Sequence, residues 1–289
     1  MIPTTPRRAT ALAVAALAIL PATALAATID GTPRGERLVG TNSADRIDGR
    51  QGNDRIFGRG GADTLIGGPG ADRVFGGPGN DQIHGVSGDD WLNGGSGDDT
   101  VVGDGNGVGD RFSRDRIYGA AGNDTLRGGD AADRIYGGSG NDVVDGQLGP
   151  DRIAGGLGDD QLQGGAGNDV IFANRGQDTV SGGEGNDRLW AMARKDVQPG
   201  PNGAPDQVGD TLDGGPGNDQ IRTRDGEVDR ITCGDGQDKA FLDLVDVIVD
   251  ATAANPNGSC EVVQRRAPSP KESASEDAQE SPKSEKVTQ

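Results

Sequence analysis

Along most of the chain an aliphatic side chain recurs at intervals of nine residues, with an outward-type residue on either side of it. Ile47, Ile56, Leu65 and Val74 open the series, and Leu189, Leu212, Ile221 and Ile231 come near its end. An amphipathic helix would repeat at about 3.6 residues and a long half-buried strand at two. One buried position between two outward ones is instead a three-residue strand. The six residues between successive triplets are rich in glycine and read as turns. A short period kept over roughly two hundred residues predicts a solenoid, each repeat burying its apolar side chain against its neighbours.

Aligned on this period, the chain reads GGxGxDxUx, where U is the aliphatic residue. Strict copies are GGPGADRVF (67–75), GGPGNDQIH (76–84), GGSGDDTVV (94–102) and GGSGNDVVD (137–145). Others start at Gly155, Gly164, Gly182 and Gly214. Register is lost three times. Asp99 and Asp115 are sixteen residues apart, with Gly-rich sequence at 103–110; a Pro/Gly-rich insertion occupies 191–209; and Asp219 and Asp229 are ten apart. Each loss reads as a surface loop within one array. If two nonapeptides form one flattened coil, every residue stacks on the one eighteen later. The sixth-position aspartates then form two ladders.

Each position has a physical reason. Glycines at positions one, two and four permit positive φ and close backbone approach. Position five is often Asn or Asp, as at Asn53, Asn80, Asp89, Asp98, Asn123, Asn141, Asn168, Asn186 and Asn218, the types that best tolerate the left-handed region. Position six adds a carboxylate. The candidate metal ligands are Asp45, Asp54, Asp63, Asp72, Asp81, Asp90, Asp99, Asp124, Asp133, Asp142, Asp151, Asp160, Asp169, Asp178, Asp187 and Asp219. Asp115, Asp210, Asp229 and Asp238 are weaker candidates, because Ser113, Val208 and Glu227 replace the fourth glycine and Cys233 the first. Carboxylates stacked about 4.8 Å apart repel one another, and a divalent cation between coils reverses that sign. Hard carboxylate and carbonyl oxygens in flexible turns favour Ca²⁺ over Mg²⁺ or softer metals, and such binding is coupled to folding.

On these motifs the chain resembles the hemolysin-type, or RTX, calcium-binding nonapeptide repeat family. The resemblance implies a right-handed parallel β-roll, calcium held by turn carbonyls and sixth-position aspartates, and an extracellular setting. The closing segment VDRITCGDGQDKAF (228–241), with Cys260 and Glu261, is similar to the end of secreted actinobacterial members.

Composition changes the picture at the two ends. The chain has 289 residues, 52 glycines, 3% aromatic residues and a formal net charge of −18, which without the repeat would read as disorder. Arg7 and Arg8, the apolar run after them and the Ala24-Leu25-Ala26 site read as a secretory signal over 1–26. A capping repeat is expected at 27–40, with Glu36 in the place of the aspartate, and the roll at 41–240. The apolar run at 239–250 reads as closing strands within a cap at 241–263, and the polar 264–289 as a disordered tail. Cys233 and Cys260 are expected to pair after export. Cations are favoured partners; nucleic acid is disfavoured by charge, and no membrane span is expected.

No catalytic constellation emerges: His84 occupies an outward ninth position and there is no HExxH motif. The chain is therefore read as a calcium-binding protein and not as an enzyme. Two alternatives remain open, a calcium-stiffened adhesin or glycan-binding module with an extracellular polysaccharide as partner, and a polysaccharide-modifying enzyme. Phe57 with Phe75, Tyr118 with Tyr136, and Phe172 with Trp190 would stack under an eighteen-residue coil, while Trp91 is a further outward aromatic. The arginines common at position seven (Arg46, Arg55, Arg73, Arg116, Arg134, Arg152 and Arg188) read as an outward row offsetting the acidic field.

Overall fold

A computed structural model describes residues 25–104, 113–191 and 209–266. The expected signal sequence up to residue 24, the centres of both insertions and the tail beyond 266 lie outside these residues. The chain winds as a right-handed parallel β-solenoid. Alternate repeats feed two sheets, each of twelve parallel strands among the described residues. The first sheet begins with Thr28–Asp30 and Arg46–Asp48, and the second with Arg37–Val39 and Arg55–Phe57. Register is eighteen residues per coil, as in Ile47 beside Leu65 and Leu65 beside Ile83.

The eighth-position side chains of both sheets meet in one narrow core. Ile47, Ile56, Leu65, Ile83, Leu92, Ile117, Ile135 and Ile171 are completely buried. Each such side chain contributes about 1.5–3 kcal/mol of burial. Ala240, the one small residue in the series, is also buried.

The strands are longer than the expected triplets. In the middle of the roll they run six residues, as in Thr64–Pro69 and Arg73–Pro78, so positions one to three of the following repeat join the sheet. The turn shrinks accordingly to positions four to six. Position-one glycines face inward like the aliphatic residue. A Cβ built on Gly67 would lie 2.5 Å from Asp72 Oδ2 and 2.9 Å from the Gly85 carbonyl oxygen, so close approach explains this glycine.

Both insertions leave the stack intact. Thr100 pairs with Thr125 and Arg116 with Trp91, 25 residues apart instead of 18, so the first insertion adds seven residues to one coil. Thr179 pairs with Thr211, 32 apart, so the second adds fourteen. The extra residue after Asp219 falls between strands Gln220–Thr223 and Arg230–Thr232.

The closing strands pair in parallel with the coils before them. Lys239–Leu242 pairs with Gln220–Thr223, Val247–Ile248 with Arg230–Thr232, and Val262–Arg265 with Lys239–Leu242. The final strand therefore passes the boundary expected at 263. Of the apolar run, Ala240, Leu242 and Ile248 are buried, whereas Leu244, Val245, Val247 and Val249 are exposed. Cys233 and Cys260 form the expected disulfide, with Cα atoms 5.2 Å apart. It ties two consecutive coils together.

Candidate metal sites

The sixth-position aspartates form two hydrogen-bonded ladders. In each, a backbone N–H donates to Oδ1 of the aspartate one coil later. Asp54 donates to Asp72 at 2.7 Å, Asp72 to Asp90 at 2.8 Å, and the column continues through Asp115, Asp133, Asp151, Asp169, Asp187, Asp219 and Asp238. The other column runs Asp45, Asp63, Asp81, Asp99, Asp124, Asp142, Asp160, Asp178, Asp210 and Asp229. These bonds satisfy turn N–H groups that would otherwise be buried without an acceptor.

The ends use other residues. Glu36 donates its N–H to Asp54, and its own carboxylate accepts from the Thr32 N–H and hydroxyl. At the far end Asp238 donates to Glu261 and Asp229 to Asp246. Sequence reading missed Glu261 and Asp246 as end rungs, because neither lies in a nonapeptide. Their only signal is position, about one coil beyond the last aspartate of each ladder.

The second oxygen of each carboxylate has a different fate. Oδ2 of Asp54, Asp63, Asp72, Asp81, Asp90, Asp99, Asp124, Asp133, Asp142, Asp151, Asp160, Asp169, Asp178, Asp187 and Asp219 is buried with no hydrogen-bond partner. The same holds for Asp115, Asp229 and Asp238, so degenerate glycines did not change the geometry there. Asp45 departs from the pattern, since Thr41 donates its N–H to Oδ2. Burial pushes the Asp45 carboxyl up, yet the N–H groups of Thr41 and Ala27 and the Thr41 hydroxyl outweigh it and hold the group below its ordinary value.

Electrostatics mark the ladders as unfinished. Burial pushes Asp72 and Asp81 up to about 6, although one backbone N–H opposes it in each case. Burial, with the charges of Asp115, Asp72 and Asp104 added, raises Asp90 to about 9. Asp151 and Asp178 reach about 9 for the same two reasons, burial first and neighbouring carboxylates second. An isolated buried carboxylate is expensive to ionise, and a column of them is more so.

The donor set fits calcium. An unpartnered hard oxygen faces the turn in coil after coil, and glycine carbonyls crowd the same space, as the Gly85 oxygen does beside Asp72. Among the described residues no three His, Cys, Asp or Glu side chains form a metal-binding group. A cation here would thus take most of its ligands from backbone carbonyls, and calcium, with six to eight oxygen ligands in flexible geometry, accepts that mixture.

Position five behaves differently from expectation. Positive φ among non-glycine residues occurs at position two (Arg50, Arg59, Val86, Ala120, Gln147 and Asn174) and at position four (Ala131), not at position five. The fifth-position side chains instead build a second, exposed ladder. Asn53 Oδ1 accepts from Ala71, Asn123 from Asn141, Asn141 from Asp159 and Asn186 from Asn218, at 2.8–3.0 Å. Asn and Asp recur there because each bridges to the next coil.

The profile of the RTX calcium-binding nonapeptide repeat, in four copies, matches residues 30–65, 39–74, 75–106, 113–144, 145–180, 154–189 and 209–239. Comparison with curated proteins gives no match. With these matches covering more than half of its length, the chain belongs to the RTX calcium-binding nonapeptide repeat family.

Proposed function

We propose that the chain is a secreted, non-enzymatic protein that binds several calcium ions and folds as it binds them. The observation that carries this is the repeated buried Oδ2, a charged acceptor without a donor in nearly every coil. Oδ2 of the sixth-position aspartates, together with turn carbonyls, would hold the ions. Calcium supplies the positive charge that the ladders lack. The disulfide fits an oxidising extracellular compartment.

Calorimetric titration of the metal-free chain tests the ligand assignment. Several equivalents of Ca²⁺ should bind and Mg²⁺ should not replace them. Converting Asp72, Asp90 and Asp133 to Asn keeps an oxygen for the ladder bond but removes the second carboxylate oxygen, so it should lower the calcium stoichiometry. An unchanged stoichiometry would remove these aspartates from the site.

A second reading, a polysaccharide-binding module stiffened by calcium, is favoured by one observation. The outward faces of the two sheets differ in charge.

A further inference from the structure

Position seven of the second sheet carries, coil by coil, Arg37, Arg55, Arg73, Trp91, Arg116, Arg134, Arg152, Val170 and Arg188. No acidic residue occupies position seven or nine of that sheet among the described residues. The same positions of the first sheet hold Thr64, Thr100, Thr125 and Thr179 in one row and Asp30, Asp48, Asp145 and Asp213 in the other. Both salt bridges seen, Arg46 with Asp48 and Arg50 with Asp30, belong to the first sheet.

Two structural explanations fail for this asymmetry. Arginines that merely offset the acidic ladders would flank both of them, yet seven of the nine at position seven stand beside one, against Arg46 and Arg230 beside the other. Nor does the strand require them, since the equivalent row opposite is held mostly by threonine, glutamine and valine. Directly paired like charges, as at Arg55 beside Arg73 and Arg116 beside Arg134, oppose sheet formation. Arg55, Arg73, Arg116, Arg134 and Arg188 are exposed and form no salt bridge among the described residues.

We infer that this face binds a linear acidic polysaccharide, carboxylated or sulfated, lying along the roll axis. Within its runs, broken at Trp91 and Val170, the row offers a guanidinium about every 4.8 Å, the strand spacing, and guanidinium pairs well with carboxylate and sulfate-type oxyanions. The aromatic column beside it does not favour nucleic acid. Phe57 and Phe75 stack at 5.0 Å, Tyr118 and Tyr136 at 5.0 Å, and Phe172 and Trp190 at 4.8 Å. Arg37 covers the open side of Phe57, and Arg152 that of Phe172. Both faces of Phe57 and of Phe172, which bases would need for stacking, are already occupied. B-form DNA also presents a charge about every 3.4 Å per strand, out of step with the row.

The inference takes the calcium-folded roll as its starting state, so the test uses the full chain in calcium with circular dichroism recorded alongside. Binding is measured to dextran sulfate, hyaluronate, neutral dextran, oligodeoxythymidylate and anionic phospholipid vesicles. Dextran sulfate or hyaluronate should bind and neutral dextran should not. The variant R55Q/R73Q/R116Q/R134Q should lose at least tenfold in affinity, whereas R46Q/R50Q/R127Q/R230Q, of equal charge change on the other face, should stay within twofold. If the first variant does not fold, R116Q/R134Q against R46Q/R230Q makes the same comparison. Equal loss in both variants, no binding by a folded chain, or equally tight binding of the oligonucleotide or vesicles would overturn the assignment. A chain that calcium does not fold would instead refute the calcium reading.

Discussion

At the scale of the residue, each sixth-position aspartate divides its work between two oxygens. Oδ1 locks one coil to the next, and Oδ2 faces the turn without a partner. The first role was not legible in sequence, because it depends on a backbone N–H eighteen residues away. The aspartate at every sixth position was legible, since it follows from residue type and period alone. Position five was misread for a similar reason: its asparagines look like tolerant turn residues, and their cross-coil bonds appear only once coils are stacked. The fourth-position glycines are more stringent. Gly70 has φ +147°, and a Cβ there would strike the Gly52 carbonyl oxygen. Such backbone costs a non-glycine residue about 1–3 kcal/mol before any clash. Gly70→Ala should therefore destabilise the calcium-loaded protein by at least that much in denaturant unfolding, while Ala131→Gly, at φ +79°, should be neutral or mildly stabilising.

At the scale of the element, the unit is the rung, a strand paired in parallel with its neighbours eighteen residues away. Strand positions and register were legible, because burial at position eight dictates both. Strand length was not, since glycines at positions one and two look like turn residues yet pair in the sheet. The run at 239–250 supplies the strands Lys239–Leu242 and Val247–Ile248, and at this open end Val247 and Val249 have no second layer to cover them. What secures this end is the Cys233–Cys260 link across a separation of 27 residues. Closing a loop of that size contributes about 3–4 kcal/mol in the chain-entropy account. Because each coil touches only its neighbours, the loss should stay local. In hydrogen exchange, reduction should expose amides of 230–265 while those of 64–102 remain protected; uniform loss would contradict a one-dimensional stack.

At the scale of the whole molecule, two columns of buried carboxylates share one thin core, and in the proposed reading their charge decides whether the roll forms. Burial and mutual repulsion raise the folded-state values of Asp72 to about 6, Asp99 to about 7 and Asp90 to about 9, above the roughly 3.9 of an unfolded aspartate. The folded state thus binds more protons than the unfolded one. Stability without metal is then greatest in acid and is lost as pH rises through about 6 to 9. Metal-free protein should gain β structure as pH falls from about 8 to about 5, and no gain would argue against buried charge as the obstacle. The difference between the two faces was hidden in the sequence, because total charge and arginine frequency average over odd and even repeats. Only separating the repeats by sheet reveals it.

The central claim is that calcium completes the ladders and so makes the fold. The most direct test is far-ultraviolet circular dichroism of the full chain, stripped by chelator at neutral pH and titrated with Ca²⁺. A cooperative change from a largely unfolded spectrum to β structure at millimolar calcium or below, not reproduced by Mg²⁺, is the predicted result. A β spectrum already complete in chelator and unchanged by calcium would contradict the account.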